Sequence, residues 1–389
     1  MVNLKHMKIV ILGPAHPYRG GIAALNERLA LELQREGHEV TLVTFTLQYP
    51  GFLFPGKTQY TTDPPPEGLT ITRKINAMNP LSWIRAGMFI RKMQPGLVIA
   101  RFWIPFIGPS LGSVARISSR GRGTRVIGLA DNIIPHEKKP GDRLLTSWFI
   151  RSCHAMVVMS ESVLTDLNLF DRKLPRRYGP HPIYDHYGHI FPREEALARL
   201  GLSPAFRYLL FFGLVREYKG LDLVIDAMAA PGMRSLPVKL IVAGEFYANE
   251  EAYHQRVEAA GLTEQVIFHN RYIPNQEVEN YFNAADMVVQ PYKTATQSGV
   301  TQVAYHFGKP MLVTRVGGLP EIVADRKAGY VCTPEAREIA AALEDFFLKN
   351  RKEAFERYVA ADRQRFSWDR FTQLFYDLMR ELNPPDKDG

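Results

Sequence analysis

The sequence predicts an α/β fold of two domains with parallel sheets. Three observations carry that prediction. The chain has 389 residues, and at about 100–200 residues per domain this length suggests two domains. Short β-branched runs alternate with amphipathic stretches, the pattern of strands joined by crossover helices. The rhythm lapses over Tyr178–Pro192, where Tyr, His, Pro and Gly occur without periodicity, and then restarts.

Lys8–Leu12 is the first strand, followed by a loop from Gly13 to Gly21. Ile22, Leu25, Leu29 and Leu33 recur at helical spacing until Gly37 ends the helix. Glu39–Phe45 is the next strand. Residues 46–80, rich in proline, glycine and aromatics, read as one long loop. A loop of that length is unusual in a compact domain and marks an active-site or acceptor-side feature. Leu97–Ala100, Arg125–Ala130 and Ala155–Met159 are later strands of the first half. Tyr208–Phe212, Val238–Ala243, Val266–His269, Met287–Gln290 and Met311–Thr314 are strands of the second, with helical segments between them. The last periodic helix begins near Ser367, with Trp368, Phe371, Leu374 and Phe375. Domains are therefore expected at 1–188 and 189–366. Residues 367–389 form a helix packing back toward the first domain, then a polar tail. Two Rossmann-like domains would face each other across a cleft, with ligands beyond the carboxyl ends of the strands.

Composition excludes several classes. Hydrophobic residues make up 46% and charged residues 23%, a globular balance rather than a disordered one. Cys153 and Cys332 lie too far apart for a disulfide framework or a zinc site, so a reducing cytoplasm fits. No apolar run approaches the roughly 18–20 residues of a spanning helix, and Ile9–Leu12 is too short for a signal-peptide core. The net charge of +8 and pI of about 9.3 favour anionic partners. Nucleic acid is not expected, because zinc-finger spacing, an RRM-type signature and a long Lys/Arg block are all missing. A basic face toward the inner leaflet and an ordinary solvated surface both remain open.

The strongest chemical motif is Phe212-Gly213-Leu214-Val215-Arg216-Glu217-Tyr218-Lys219-Gly220. It follows a buried strand and opens a helix with Leu221, Val224, Ile225 and Met228 on its apolar side. Glycines bracket it, so the backbone can turn tightly beside a ligand. Arg216 and Lys219 stand three residues apart at the mouth of a helix, whose N-terminus favours anions. This reads as a diphosphate site.

The segment Gly213 to Gly220 resembles the donor-diphosphate loop of the retaining GT-B glycosyltransferases of family 4. Other stretches agree in order and spacing. Gly20-Gly21 resembles that family's glycine pair, whose backbone N–H reaches the donor phosphate. Val242-Ala243-Gly244-Glu245 resembles its second strand end in the C-terminal domain. Val266–Phe268 with Asn270–Pro274, hence Arg271, Tyr272 and Ile273, resembles the segment whose backbone reads the nucleobase. Ala284–Pro291 resembles the run ahead of its sugar-binding loop. Gly308-Lys309-Pro310 and Gly317–Val323 close the series.

The family carries two glutamates eight positions apart, at the donor sugar and the ribose. Counted from Pro291, those positions hold Ala295 and Val303, whose side chains accept no hydrogen bond. Nearby replacements are Thr296, Gln297, Ser298, Gly299 and Gln302. Gln302 lies one residue before the second position and is a candidate for the ribose. Gly299 and Val300 offer backbone N–H groups. Gln297 and Ser298 serve equally well as caps of the following helix.

In the first half, Asp131, Asn132 and His136 follow a strand end, where the resemblance implies a catalytic His. Asp131 stands at that place and can accept a sugar or acceptor hydroxyl, while His136 offers a proton shuttle. An Asx turn at Asp131-Asn132 and a local role for His136 fit too. Arg101–Phe106 supplies aromatics for an acceptor platform or for the core. Trp83–Met93 sets Trp83, Ile84, Met88 and Phe89 among Arg85, Arg91 and Lys92, suiting an interfacial helix or an ordinary surface one. No metal or cofactor is expected. The only Asp-x-Asp is Asp386-Lys387-Asp388, in the polar tail.

The resemblance implies a metal-independent hexosyltransferase that moves a sugar from a nucleotide-diphosphate donor to a glycan or lipid-linked acceptor. It would be cytoplasmic, with peripheral contact at the inner face of the membrane. A nucleotide-sugar epimerase or phosphorylase, or a non-catalytic nucleotide-sugar-binding protein, are the competing readings on the same fold.

Overall fold

The computed structural model describes residues 6–51, 58–62, 64–121, 123–135, 139–185, 187–247, 249–295 and 298–384. The chain divides into two units, one of residues 1–181 with 368–389 and the other of residues 182–367.

The first unit is a seven-stranded parallel sheet. Its strands are β1 (Lys8–Leu12), β2 (Glu39–Leu47), β3 (Thr70–Asn76), β4 (Leu97–Phe102), β5 (Arg125–Ala130), β6 (Ala155–Val158) and β7 (Arg176–Tyr178). They lie in the order β3-β2-β1-β4-β5-β6-β7. Strands covered on both faces read as unbroken apolar runs, and β1 and β4 are buried along almost their whole length. Val10, Leu12, Val98, Ala100 and Val126 pack with Ala86, Ile90, Leu111 and Val114 of the helices Pro80–Met93 and Gly108–Ser118.

The second unit is a six-stranded parallel sheet of β8 (Arg207–Phe212), β9 (Val238–Ala243), β10 (Val266–His269), β11 (Met287–Gln290), β12 (Met311–Thr314) and β13 (Gly329–Cys332). Their order is β10-β9-β8-β11-β12-β13. Its core joins Leu209, Phe211, Val242 and Val289 to Leu221, Val224, Ile225, Ile339 and Leu343.

Both sheets therefore share the order 3-2-1-4-5-6 in their own strand numbers, and the first adds a seventh strand at its edge. Connections leave opposite faces on either side of the first strand, which opens a crevice at its carboxyl end. That crevice lies between β1 and β4 in one unit and between β8 and β11 in the other.

Three strands, β3, β7 and β13, lie outside the strands predicted from the sequence. β3 lies inside the stretch 46–80 and pairs with β2. Its sequence Thr-Ile-Thr-Arg-Lys-Ile-Asn keeps most side chains partly exposed, as an edge strand does, so it lacks an apolar run. β7 is a three-residue edge strand that pairs with β6. The helix Trp368–Leu382 belongs to the first unit and buries Trp368, Phe371, Phe375, Leu378 and Met379. Thr372 Oγ1 donates to Glu36 Oε1 at 2.6 Å, and the Tyr376 hydroxyl donates to the same carboxylate. The guanidinium of Arg28 lies 4.7 Å over the Trp368 ring.

Candidate functional site

The loop after β8 is held on both sides by main-chain contacts. Gly213 N donates to Ala243 O at 2.8 Å and Val215 N to Glu245 O at 2.8 Å, while Tyr247 N donates to Val215 O at 3.0 Å. The ends of β8 and β9 are thus joined beyond the sheet. Gly244, at φ +147°, has no room for a side chain against the Gly213 carbonyl. On the other side Lys293 N donates to Tyr218 O at 2.7 Å. Gly220, at φ +71°, rests against the Pro291 carbonyl where a Cβ would collide. Glycine suits both positions for conformation and for space. Of the two glycines bracketing the motif, Gly220 is thus explained by close backbone approach, whereas Gly213 is explained by its φ of +90°.

This frame presents two cations. The Arg216 guanidinium lies 4.4 Å over the exposed ring of Tyr247, and its buried Nε has no hydrogen-bond partner. Lys219 is buried, with Nζ 5.8 Å from the Tyr292 ring centre and beside Gly213. Burial, and then the charge of Arg216, push the Lys219 ammonium down to about 8. Among the described residues neither cation has a carboxylate partner, whereas Lys293 pairs with Asp222 at 2.7 Å and Arg256 with Asp226 at 2.6 Å. Two like charges are thus held together at a cost at the crevice of the sheet, a setting whose electrostatics favour an anion.

The helix Gly299–His306 starts on the β11 side of the same crevice. Ser298 caps it, Oγ accepting from Val300 N at 3.3 Å, and the Tyr292 hydroxyl lies 3.2 Å from that Oγ. Gly299 packs under the ring of Tyr184, 2.9 Å from where a Cβ would stand. Gln302 is fully buried, and both atoms of its carboxamide lack hydrogen-bond partners. Farther out, at the end of β10, Arg271 forms an ion pair with Glu277, Tyr272 is exposed and Ile273 is buried. Asn270 Oδ1 accepts from Phe246 N at 3.2 Å, tying that segment to the one after β9.

In the first unit Gly20 takes φ +112° with open space around it, and Gly21 begins the helix Gly21–Arg35 without a side-chain cap. Asp131 follows β5, and its carboxylate is engaged by Arg101 of β4. Nε donates to Oδ2 at 2.7 Å and Nη2 to Oδ1 at 2.5 Å. His181 Nε2 lies 3.6 Å from Oδ1. Burial raises the Asp131 carboxyl, but Arg101 and then His181 outweigh it and hold it below the ordinary range. Burial pushes His181 below the ordinary imidazole range in spite of Asp131. The Oδ1 of Asn132 is buried without a partner. His136, Gln297 and Asp386–Asp388 lie outside the described residues.

Sequence reading used Arg101 only as the start of an aromatic stretch and did not consider His181. The available signal was an arginine inside the run Leu97-Val-Ile-Ala-Arg-Phe102, since a buried cation needs a partner. The aromatics after it are mostly packed. Phe102 stacks on Phe149 at 4.6 Å, and Trp103 Nε1 donates to the Tyr49 hydroxyl at 2.6 Å.

Residues 19–177 match the model of glycosyltransferase family 4, and residues 206–348 match that of glycosyl transferases group 1. The two matches together take in most of the chain. The chain belongs to glycosyltransferase family 4. Curated relatives of this family 4 chain include the D-inositol 3-phosphate glycosyltransferase of Segniliparus rotundus. That protein is 33% identical over 193 residues, 47% of this chain and 42% of the relative. The lipopolysaccharide core biosynthesis mannosyltransferase LpsB of Rhizobium meliloti is 32% identical over 141 residues, 34% of this chain and 38% of the relative. The matched segment thus spans less than half the length of each of these relatives. Among solved structures, Anabaena Alr3699/HepE in complex with UDP superimposes with a TM-score of 0.73 at 18% identity, covering 96% of this chain and 100% of that one. The family 4 chain therefore has the GT-B fold of two Rossmann-like domains.

Proposed function

We propose that this chain transfers a hexosyl group, with retention of configuration, from a nucleotide-diphosphate sugar to a hydroxyl acceptor. The observation that carries the reading is the pair Arg216 and Lys219, two cations without carboxylate partners among the described residues, on a loop held by main-chain hydrogen bonds at the sheet crevice. They would bind the diphosphate and offset the charge that develops as it leaves, with no metal required for that role. Gly20, Gly21, Gly244, Glu245, Arg271–Ile273 and Ser298–Val300 would complete the donor contacts, largely through backbone. Asp131 and Asn132 would serve the acceptor side. The Anabaena protein was solved with UDP and with UDP-glucose, which supports a uridine donor. The relatives' names support a polyol or glycan acceptor. Assembly of glycans or lipid-linked glycans in the cytoplasm, with peripheral contact at a membrane surface, belongs to the same proposal.

Ala295, Val303 and the buried Gln302 favour a second reading, a nucleotide-sugar-binding protein without turnover. One series of measurements separates the two. Thermal shift with UDP, GDP, ADP and their sugars should single out one base, by about 3 kcal/mol at a hundredfold excess over Kd. Release of that nucleotide should then require an acceptor. No response to any nucleotide would overturn both readings, and binding without release over a broad acceptor panel would support the second. Epimerised sugar formed without acceptor would point to an epimerase.

The state of Lys219 gives a pH prediction. The diphosphate favours the charged amine, which the free protein loses as pH rises through about 8. Affinity for UDP should therefore be flat near neutrality and fall by up to about tenfold per pH unit above that value. Lys219→Arg should bind with no such fall. Titration calorimetry at several pH values reads this directly, and an identical profile in both proteins would contradict it.

A further inference from the structure

The helix Pro80–Met93 is apolar on two sides. Ala86, Gly87 and Ile90 face the core with Trp83, Phe89 and Met93 packed against it. The opposite side carries Leu81, Ile84 and Met88, exposed at 61%, 46% and 52%. Their spacing of i, i+3 and i+7 makes one continuous stripe. The helix Asp142–Ile150 repeats the pattern, with Leu144 exposed at 70% and Trp148 at 45%. The helix Gly108–Ser118 lies recessed between the two. A side chain at Gly87 would strike Ile117, and one at Gly112 would strike Trp148 and Phe149.

Cations surround these apolar groups. Arg85, Arg91 and Lys92 stand on the first helix, Arg143 and Arg151 at the second, and Arg116 lies 5.1 Å over the Trp148 ring. None of the six forms an ion pair with a described residue, although ion pairs are common elsewhere in the chain. The first helix contains no acidic residue, and the second only Asp142. Two neighbouring apolar stripes among unpaired cations match a surface that is anionic at its boundary and apolar beneath it.

We propose that this face, formed by Leu81, Ile84, Met88, Leu144 and Trp148 with their flanking cations, docks the protein on an anionic lipid bilayer. Trp148 suits the boundary, since its ring is exposed while its Nε1 donates to Ser113 Oγ at 3.2 Å. The assignment deepens the peripheral-membrane part of the proposed function and does not depend on the transfer chemistry.

The test uses the full chain and two kinds of vesicle, phosphatidylcholine alone and phosphatidylcholine mixed equally with phosphatidylglycerol. The wild type should sediment with the mixed vesicles only, and less so as salt rises. Leu81→Ser combined with Ile84→Ser and Met88→Ser should weaken this binding at least tenfold, and so should Leu144→Ser with Trp148→Ser. Both variants should keep the wild-type melting midpoint and nucleotide response, because every altered side chain is exposed. Failure of the wild type to bind mixed vesicles would overturn the proposal, as would undiminished binding by correctly folded variants. Dimerisation abolished by the same substitutions, without vesicle binding, would reassign the face to self-association. The nucleotide response, read separately, shows whether the transfer reading stands.

Discussion

Lys219→Met should melt at a higher temperature than the wild type in the absence of nucleotide and should lose most of its response to UDP. The two effects share one cause. Burial and Arg216 hold the Lys219 ammonium near 8 instead of the ordinary 10.5. Between those values the unfolded chain binds the proton that the folded chain has released. Stability contributed by this group therefore rises with pH across that window and is at its lowest below about 8. At neutral pH the strain amounts to at most roughly 3 kcal/mol, and an apolar side chain of similar length removes it. The same substitution deletes a charge-assisted contact to phosphate worth about 1.5–3 kcal/mol, or one to two powers of ten in affinity. Arg216→Met should lose a comparable factor, and the double variant should leave no measurable binding or transfer. Denaturant melts and titration calorimetry on the three proteins check this. Near-normal UDP affinity in the double variant would remove the basis of the donor site.

The second large effect is expected in the first unit. Asp131→Ala strands Arg101, whose residue is fully buried, and should cost about 3–5 kcal/mol of stability. Arg101→Met should cost a similar amount by stranding the carboxylate. The pair Arg101→Met with Asp131→Leu should recover most of the loss, because an apolar pair of similar volume has no charge to desolvate. Denaturant unfolding of the four proteins gives the coupling as a double-mutant cycle. Independent losses that simply add would show that the ion pair is not the source. The linkage has a definite sign. Asp131 is held below the ordinary carboxylate range, so its contribution is present above the unfolded value and disappears in acid as pH falls through the lowered folded value. If the double variant folds but does not transfer sugar, Asp131 has a chemical role beyond its structural one.

These two sites were unequally legible in the sequence. Arg216 and Lys219 sit in one short segment bracketed by glycines, so their chemistry is local and the spacing reveals it. The pair of Arg101 and Asp131 joins residues from neighbouring strands, and His181 reaches it from a stretch without periodicity. Only an arginine in a buried run signals that arrangement. Strands β1, β4, β8, β9 and β11 were readable because they are buried on both faces. β3 was hidden because an edge strand exposes its Thr, Arg and Lys side chains. Gln302 was legible only in part: its position suggests the ribose, and only the structure shows its carboxamide buried with both atoms lacking a hydrogen-bond partner. The outward stripe of Leu81, Ile84 and Met88 needed the structure too, since the inward Trp83 and Phe89 share the same helix.

The glycines at Gly213, Gly220 and Gly244 have an evolutionary consequence. Gly220 and Gly244 let main chain meet main chain around the loop after β8, so the proposed seat for the anion would be specified by peptide groups and two cations. Apart from Tyr247, Tyr292 and Asn270, side chains on the neighbouring loops take no part in the contacts described around it. A lineage can therefore exchange them, and with them its sugar, while inheriting the seat intact. Ala295 and Val303, which stand where the resemblance implies acidic residues, are changes of the kind such a division of labour permits.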